Sequence, residues 1–155
     1  MWVSTRSQYG IRALVEVALG GDEPVSLKTV AQRQDLSQQY LEQIFATLRK
    51  AGIVESVRGA RGGYRLARPL HEVASLEVVE LLEGSVAPVA CLDDTEGCVR
   101  VGACSTESLW REVDEAVRKV LGSTTLADLV AARRRLQYVP TDGAQSLPVV
   151  TEAGA

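Results

Sequence analysis

The feature that most constrains this chain is a spacing switch inside one short stretch, residues 26–66, SLKTVAQRQDLSQQYLEQIFATLRKAGIVESVRGARGGYRL. Its first half carries apolar residues at helical intervals. Its second half alternates like a strand, breaks at a glycine-rich turn and resumes. Ser26 predicts a cap for a short helix whose Leu27, Val30 and Ala31 face inward. Asp35 and Leu36 make a turn. Ser37 caps a second helix with Leu41, Ile44, Phe45 and Leu48 as its buried stripe. Ala51 and Gly52 end it, Ile53 to Val57 read as a strand, and Tyr64 to Leu66 pair back. Helix, turn, helix and hairpin in that order make a winged helix-turn-helix. The fold class is therefore mainly α with a small β-hairpin.

The outward positions of the second helix hold Gln38, Gln39, Glu42, Gln43 and Arg49. A merely solvated face usually carries more Lys and Glu. Amides and a carboxylate in the early turns are groups that hydrogen-bond to base edges. Between the strands lies Arg58-Gly59-Ala60-Arg61-Gly62-Gly63. Its glycines permit a tight turn and close backbone approach, and its arginines suit phosphates or a narrow minor groove. The loop lacks the strand–loop–helix order and the GK[ST] sequence of a nucleotide-binding loop.

Charge supports a polyanion partner at one end only. The chain of 155 residues carries a net −3. Residues 1–70 hold ten basic and six acidic side chains, a surplus of four, which leaves −7 for the remainder. The start, MWVSTRSQYGIRAL, lacks a leader pattern, and no run is long enough to cross a bilayer, so the expected compartment is the cytoplasm with no membrane partner. Three cysteines, an odd number, argue against a secreted disulfide framework.

Ser7 to Leu19 predicts a helix with Ser7 as its cap, stopped at Gly20 and Gly21. Ser75 is the expected cap of another, ended by Gly84, with Leu76, Val79, Leu81 and Leu82 packing on the winged unit. His71, the only histidine, reads as a surface or capping residue. Cys91, Cys98 and Cys104 then follow at gaps of six and five residues, with Gly97 and Gly102 between them. Closely spaced loop thiolates suit an iron–sulfur cluster. Free redox thiols and a zinc site are the alternatives, although zinc wants four ligands. From Ser105, the expected cap, to Leu121 a long helix returns. Its Leu109, Val113, Ala116 and Val120 step by four, three and four, a seam suited to a partner helix, with Gly122 as its stop. Thr124 and Thr125 cap a last short helix. This divides the chain into a DNA-binding unit (1–83), a cysteine-rich sensor loop (84–104), a dimerisation helix with a short helix (105–137) and a tail expected to be disordered (138–155). No CxxC pair, paired histidine or cofactor fingerprint points to an enzyme.

The strings TRSQYGIRAL, YLEQIFATLRKAGIVESVRGARGGYRL and SLWREVDEAVRKVLGSTTLADL resemble the Rrf2 family of bacterial winged-helix regulators, which includes IscR, NsrR and CymR. The RG-x-x-GGY wing is the most specific part. The resemblance implies a homodimer on a palindromic double-stranded operator. By position it implies that Ser37, Gln38, Gln39, Tyr40, Glu42 and Gln43 face the major groove, with Glu42 discriminating operator classes. Arg58, Gly59, Arg61 and Gly62 would reach the minor groove. The cysteine loop looks like that of the cluster-binding members, whose first gap is one residue shorter. CymR-like members lack these cysteines. Cys91, Cys98 and Cys104 are then the implied ligands, and a 2Fe-2S cluster is favoured over a 4Fe-4S cluster. IscR-like proteins place a histidine after two residues that follow the third cysteine, where this chain has Glu107, a harder donor. Asp93, Asp94, Glu96 and a partner-chain residue are other candidates for a fourth ligand; the position NsrR uses falls near Gln8. The implied function is a redox or nitric-oxide sensor controlling iron–sulfur biogenesis or cysteine-related genes, with a cluster-free thiol repressor of cysteine metabolism as the alternative.

Overall fold

The computed structural model describes residues 3–93, 100 and 103–137. Helix α1 (Thr5–Leu19) lies at the centre, touching α2 (Leu27–Gln34), α3 (Gln38–Lys50), α4 (Ser75–Glu83) and α6 (Leu126–Gln137). Its cap is Ser4 and not the expected Ser7: the Ser4 hydroxyl accepts from the Arg6 amide at 3.1 Å. The choice is made from far along the chain. Glu83, at the end of α4, accepts from the Ser4 amide at 2.9 Å and from its hydroxyl at 2.6 Å. Ser7 is left fully buried inside the helix. Gly10 lets α4 come close, since a Cβ there would meet Leu82 Cδ1 at 2.5 Å.

Local signals set the next two helices as expected. The Ser26 hydroxyl accepts from the Thr29 amide at 3.1 Å, satisfying an otherwise orphaned donor of α2. Asp35 takes the left-handed conformation, φ 53°, and turns the chain into Ser37, which caps α3. Leu41, Ile44, Phe45 and Leu48 are all fully buried. These four side chains hold α3 to the core and leave its opposite face free.

Strands β1 (Val54–Val57) and β2 (Gly63–Leu66) pair antiparallel with Val54 opposite Leu66. Val25 adds a short bridge on the far side of β2, exchanging 2.9 Å hydrogen bonds with Tyr64. Tyr64 packs edge-on to Phe45 with centroids 5.0 Å apart, so the hairpin is fixed to α3 through the core.

Four features of the second half depart from expectation. Ala74, not Ser75, occupies the cap position of α4, and Ser75 is buried. The reason is a tertiary bridge: the Ser75 amide donates to Thr124 and the Leu126 amide to Val73, at 2.8 and 2.9 Å. Thr106, not Ser105, precedes the first residue of α5 (Glu107–Ser123) and makes no side-chain cap. Gly122 lies within α5, which runs to Ser123 before Thr124 turns extended. Finally, α6 opens as expected on Thr125, in a reciprocal capping box with Asp128, but packs back on α1. Leu126 and Val130 belong to the same buried cluster as Leu14 and Ile44, so this helix completes the core built around α1. The proposed tail, 138–155, lies outside the described residues.

Candidate nucleic-acid interface and thiol loop

On α3, Ser37, Gln38, Gln39, Glu42 and Gln43 are exposed together, as the spacing predicts. Gln38 donates to the Glu42 carboxylate at 3.0 Å across one turn. That bond orients a carboxylate acceptor outward while leaving its second oxygen free among the described residues. Tyr40 stands apart from this set. It is half-buried, and its ring meets the edge of Tyr9 on α1 at 6.2 Å. Arg6 reaches across to Thr47 at 3.2 Å, a second tie from α1 to α3.

The wing places Arg58 and Arg61 in solvent, beside a turn only glycine can make. Gly59 has φ 120° and its carbonyl accepts from the Gly62 amide at 2.9 Å. A Cβ on Gly62 would run into the Val57 carbonyl, and one on Gly63 into the Val25 carbonyl. Arg65 is different: Glu55, its cross-strand partner, neutralises it at 2.6 Å. Among the described residues no carboxylate lies within 4 Å of Arg58 or Arg61. The tip is therefore uncompensated cation at a glycine-thin surface, which suits a phosphate-lined groove.

Beyond α4 the chain reaches Cys91, half-buried in a single 3-10 turn (Ala90–Leu92), and later Cys104, also half-buried just before α5. Cys98 lies outside the described residues, as do Asp94 and Glu96. The Thr106 hydroxyl sits 3.4 Å from the Cys104 sulfur and holds that thiol below its ordinary pKa. A thiol biased toward thiolate is a soft, ready metal donor. Glu107 is the first residue of α5 and is engaged by Arg111 at 2.7 Å. Asp93 accepts from Ser85 at 2.6 Å. Gln8 donates to the Val3 carbonyl at 3.0 Å. Glu107 and Asp93 thus each have one carboxylate oxygen engaged, while the Gln8 contact is made by its amide nitrogen. Among the described residues no group of three His, Cys, Asp or Glu converges to hold a metal ion.

Helix α5 buries no residue in the single chain. Leu109 remains 52% exposed, Trp110 36% and Val120 63%. Its inner side is held to α4 by a polar contact: Arg118 reaches Glu80 at 2.6 Å, and Asp114, one turn earlier on α5, orients the same guanidinium at 2.8 Å. Among the described residues no helix is long and apolar enough to cross a membrane.

Sequence reasoning missed two parts of this surface. Arg12 and Tyr9 of α1 join it beside the start of α3, and Glu16 is buried beneath them, receiving Gln34 at 2.7 Å and Arg33 at 3.5 Å. An arginine on an exposed helix turn carries no local signal of its neighbours. Glu16 shows only as a polar break in an apolar stripe.

Known proteins resemble this chain in both sequence and fold. A family model described as "Rrf2: Iron-dependent Transcriptional regulator" matches residues 3–132. The protein rrf2 of Nitratidesulfovibrio vulgaris is 43% identical over 131 residues, covering 84% of this chain and 87% of that protein. CymR of Bacillus subtilis is 41% identical over 132 residues, 84% of this chain and 91% of that one. Its structure, described as that of the global cysteine regulator, superposes with a TM-score of 0.72 over 85% of this chain and 98% of that one, at 40% identity. The structure of T. potens IscR gives the same TM-score at 40% identity, over 88% and 91% of the two chains.

Proposed function

The chain belongs to the Rrf2 family of DNA-binding transcription regulators, and on that premise we propose that it acts as a homodimer on a palindromic operator and reports cluster or redox status through its cysteine loop. The family regulates transcription and is not enzymatic. The observation that carries the DNA half is the exposed α3 face of Ser37, Gln38, Gln39, Glu42 and Gln43, set next to a wing whose arginines lack acidic neighbours among the described residues. Bases are read by the first and the backbone is gripped by the second. The uncovered apolar side of α5 supports a second copy as its partner, which would space two recognition helices for two half-sites.

Cys91, Cys98 and Cys104 are the residues to hold an iron–sulfur cluster, 2Fe-2S in preference to 4Fe-4S, with Glu107 the candidate fourth ligand. Such a group supplies a one-electron centre open to oxidants and nitric oxide. Support comes from the donor chemistry, two half-buried thiols of which one is held below its ordinary pKa by the Thr106 hydroxyl, and from relatives named IscR. Cys104 precedes α5 by only two residues, so engagement of its sulfur bears on the start of the helix proposed to join the two copies. The natural targets are iron–sulfur assembly and cysteine-supply genes. A second reading, a cluster-free thiol repressor of cysteine metabolism, is favoured by one observation: Arg111 engages one oxygen of the Glu107 carboxylate.

Binding of a selected operator, measured against salt, tests the interface. Arg58→Ala and Arg61→Ala should each weaken affinity and reduce the salt slope by about 0.9 for every phosphate no longer neutralised. An unchanged slope in both variants would exclude the wing from the DNA backbone.

A further inference from the structure

We propose that Arg12, on α1, is a further DNA-phosphate contact, so that the interface extends past the helix-turn-helix and wing onto the first helix. The inference rests on the DNA-binding reading above and adds a residue which neither the motif nor the wing includes.

The Arg12 side chain is held on several sides. Its Nε donates to the Gln34 side-chain oxygen at 2.9 Å, and one terminal nitrogen donates to the Gln34 backbone carbonyl, also at 2.9 Å. Gln34 is the last residue of α2, and its carbonyl lies at the negative end of that helix. The amide of Gln34 is fixed in turn, because its nitrogen donates to the buried carboxylate of Glu16 at 2.7 Å. The Arg12 guanidinium carbon stands 5.6 Å from the centroid of the Tyr9 ring. Thus an exposed, long, rotamer-rich side chain is pinned by three contacts in one geometry.

All of these immobilising contacts are to neutral groups. Arg33 and Arg133 face Glu16, Arg65 faces Glu55, Arg68 faces Glu77, Arg111 faces Glu107, and Arg118 faces Glu80 and Asp114. Among the described residues no carboxylate lies within 4 Å of Arg12. Two neutral acceptors and a ring face orient the guanidinium without cancelling its charge. A fixed, uncompensated guanidinium with free donors is matched to an oxyanion, since little further rotamer entropy is lost on binding.

Position identifies which oxyanion. Tyr9, under the Arg12 guanidinium, meets Tyr40 edge-on at 6.2 Å, and Tyr40 is in the first turn of α3, next to Gln39. In a helix-turn-helix the N-terminal end of the second helix enters the major groove, so the surface beside it overlies the strand that borders the groove. A backbone phosphate is the anion present there.

The test uses the full chain and a duplex of about 30 base pairs selected from a random library by the wild-type protein. Affinity is followed by fluorescence anisotropy between about 50 and 200 mM NaCl. Arg12→Gln should reduce affinity about tenfold and lower the salt slope by about 0.9 per protomer, about 2 for a dimer. Gln34→Ala keeps the charge and removes one of the three contacts that orient it, the backbone carbonyl and the Tyr9 ring remaining, so it should weaken binding less than Arg12→Gln does, with the slope retained. Arg12→Gln with wild-type affinity and slope, in a sample with the wild-type melting temperature, overturns the inference while wing variants still report DNA binding. Weaker affinity with an unchanged slope overturns it too, because a merely structural Arg12 would behave that way. If the wild-type chain selects no duplex, the DNA-binding reading itself falls.

Discussion

The uncovered side of α5 sets the strength expected of a dimer. Leu109 keeps 52% of its surface and Val120 63% in the single chain. Truncation to Ala removes three carbons from Leu109 and two from Val120, each worth about 0.8 kcal/mol when fully buried. Scaled by the surface still open to a partner, each substitution costs about 1 kcal/mol. A two-fold dimer contains four such side chains, so Leu109→Ala with Val120→Ala should weaken association by about 4 kcal/mol, roughly 10³-fold. Sedimentation equilibrium reads this directly. The fold of the protomer supplies the control: neither residue is in the buried cluster, so the helical circular dichroism of the dissociated protein should match that of wild type. A dimer dissociation constant within about threefold of wild type would refute the reasoning, because the exposed stripe would then face water in the assembly as well.

Two further outcomes follow from the geometry. Glu42→Ala should broaden sequence preference in a library selection more than it lowers affinity, because its carboxylate is an acceptor for base amino groups and no phosphate tolerates it; a uniform loss across all sequences would contradict base readout. Glu83 is held below the usual glutamate range chiefly by the Ser4 hydroxyl. A carboxyl lowered on folding stabilises above its unfolded pKa and loses that contribution as pH falls through the folded value. The gap in melting temperature between wild type and Glu83→Gln should therefore be full at about pH 7 and close below about pH 4; a gap independent of pH would show that the Ser4 contact does not depend on the charge.

What the sequence made legible was whatever short-range chemistry decides. Ser26 and Ser37 cap helices because each hydroxyl meets an amide three residues on, and the stripe Leu41, Ile44, Phe45 and Leu48 could bury only one way. The glycines of the wing were readable because a Cβ at Gly62 or Gly63 has nowhere to go. Long-range contacts decided the rest. Ser4 outcompetes Ser7 because Glu83, 79 residues away, reaches it. Ser75 is not a cap because the chain around Thr124 and Leu126 occupies the backbone there. No periodicity reveals that α6 turns back to put Leu126 and Val130 into the first core, or that Gln34 fixes Arg12. In the thiol loop the spacing of cysteines was visible, while the pairing of Glu107 with Arg111 depended on where α5 begins.

Iron and acid-labile sulfide, assayed in protein purified without oxygen, test the proposed sensor most directly. A cluster held by the cysteine loop predicts a coloured protein with near-stoichiometric iron and sulfide, both absent from a Cys104→Ser variant. Colourless wild-type protein that takes up neither iron nor sulfide on reconstitution would contradict the sensor and leave the thiol repressor as the reading.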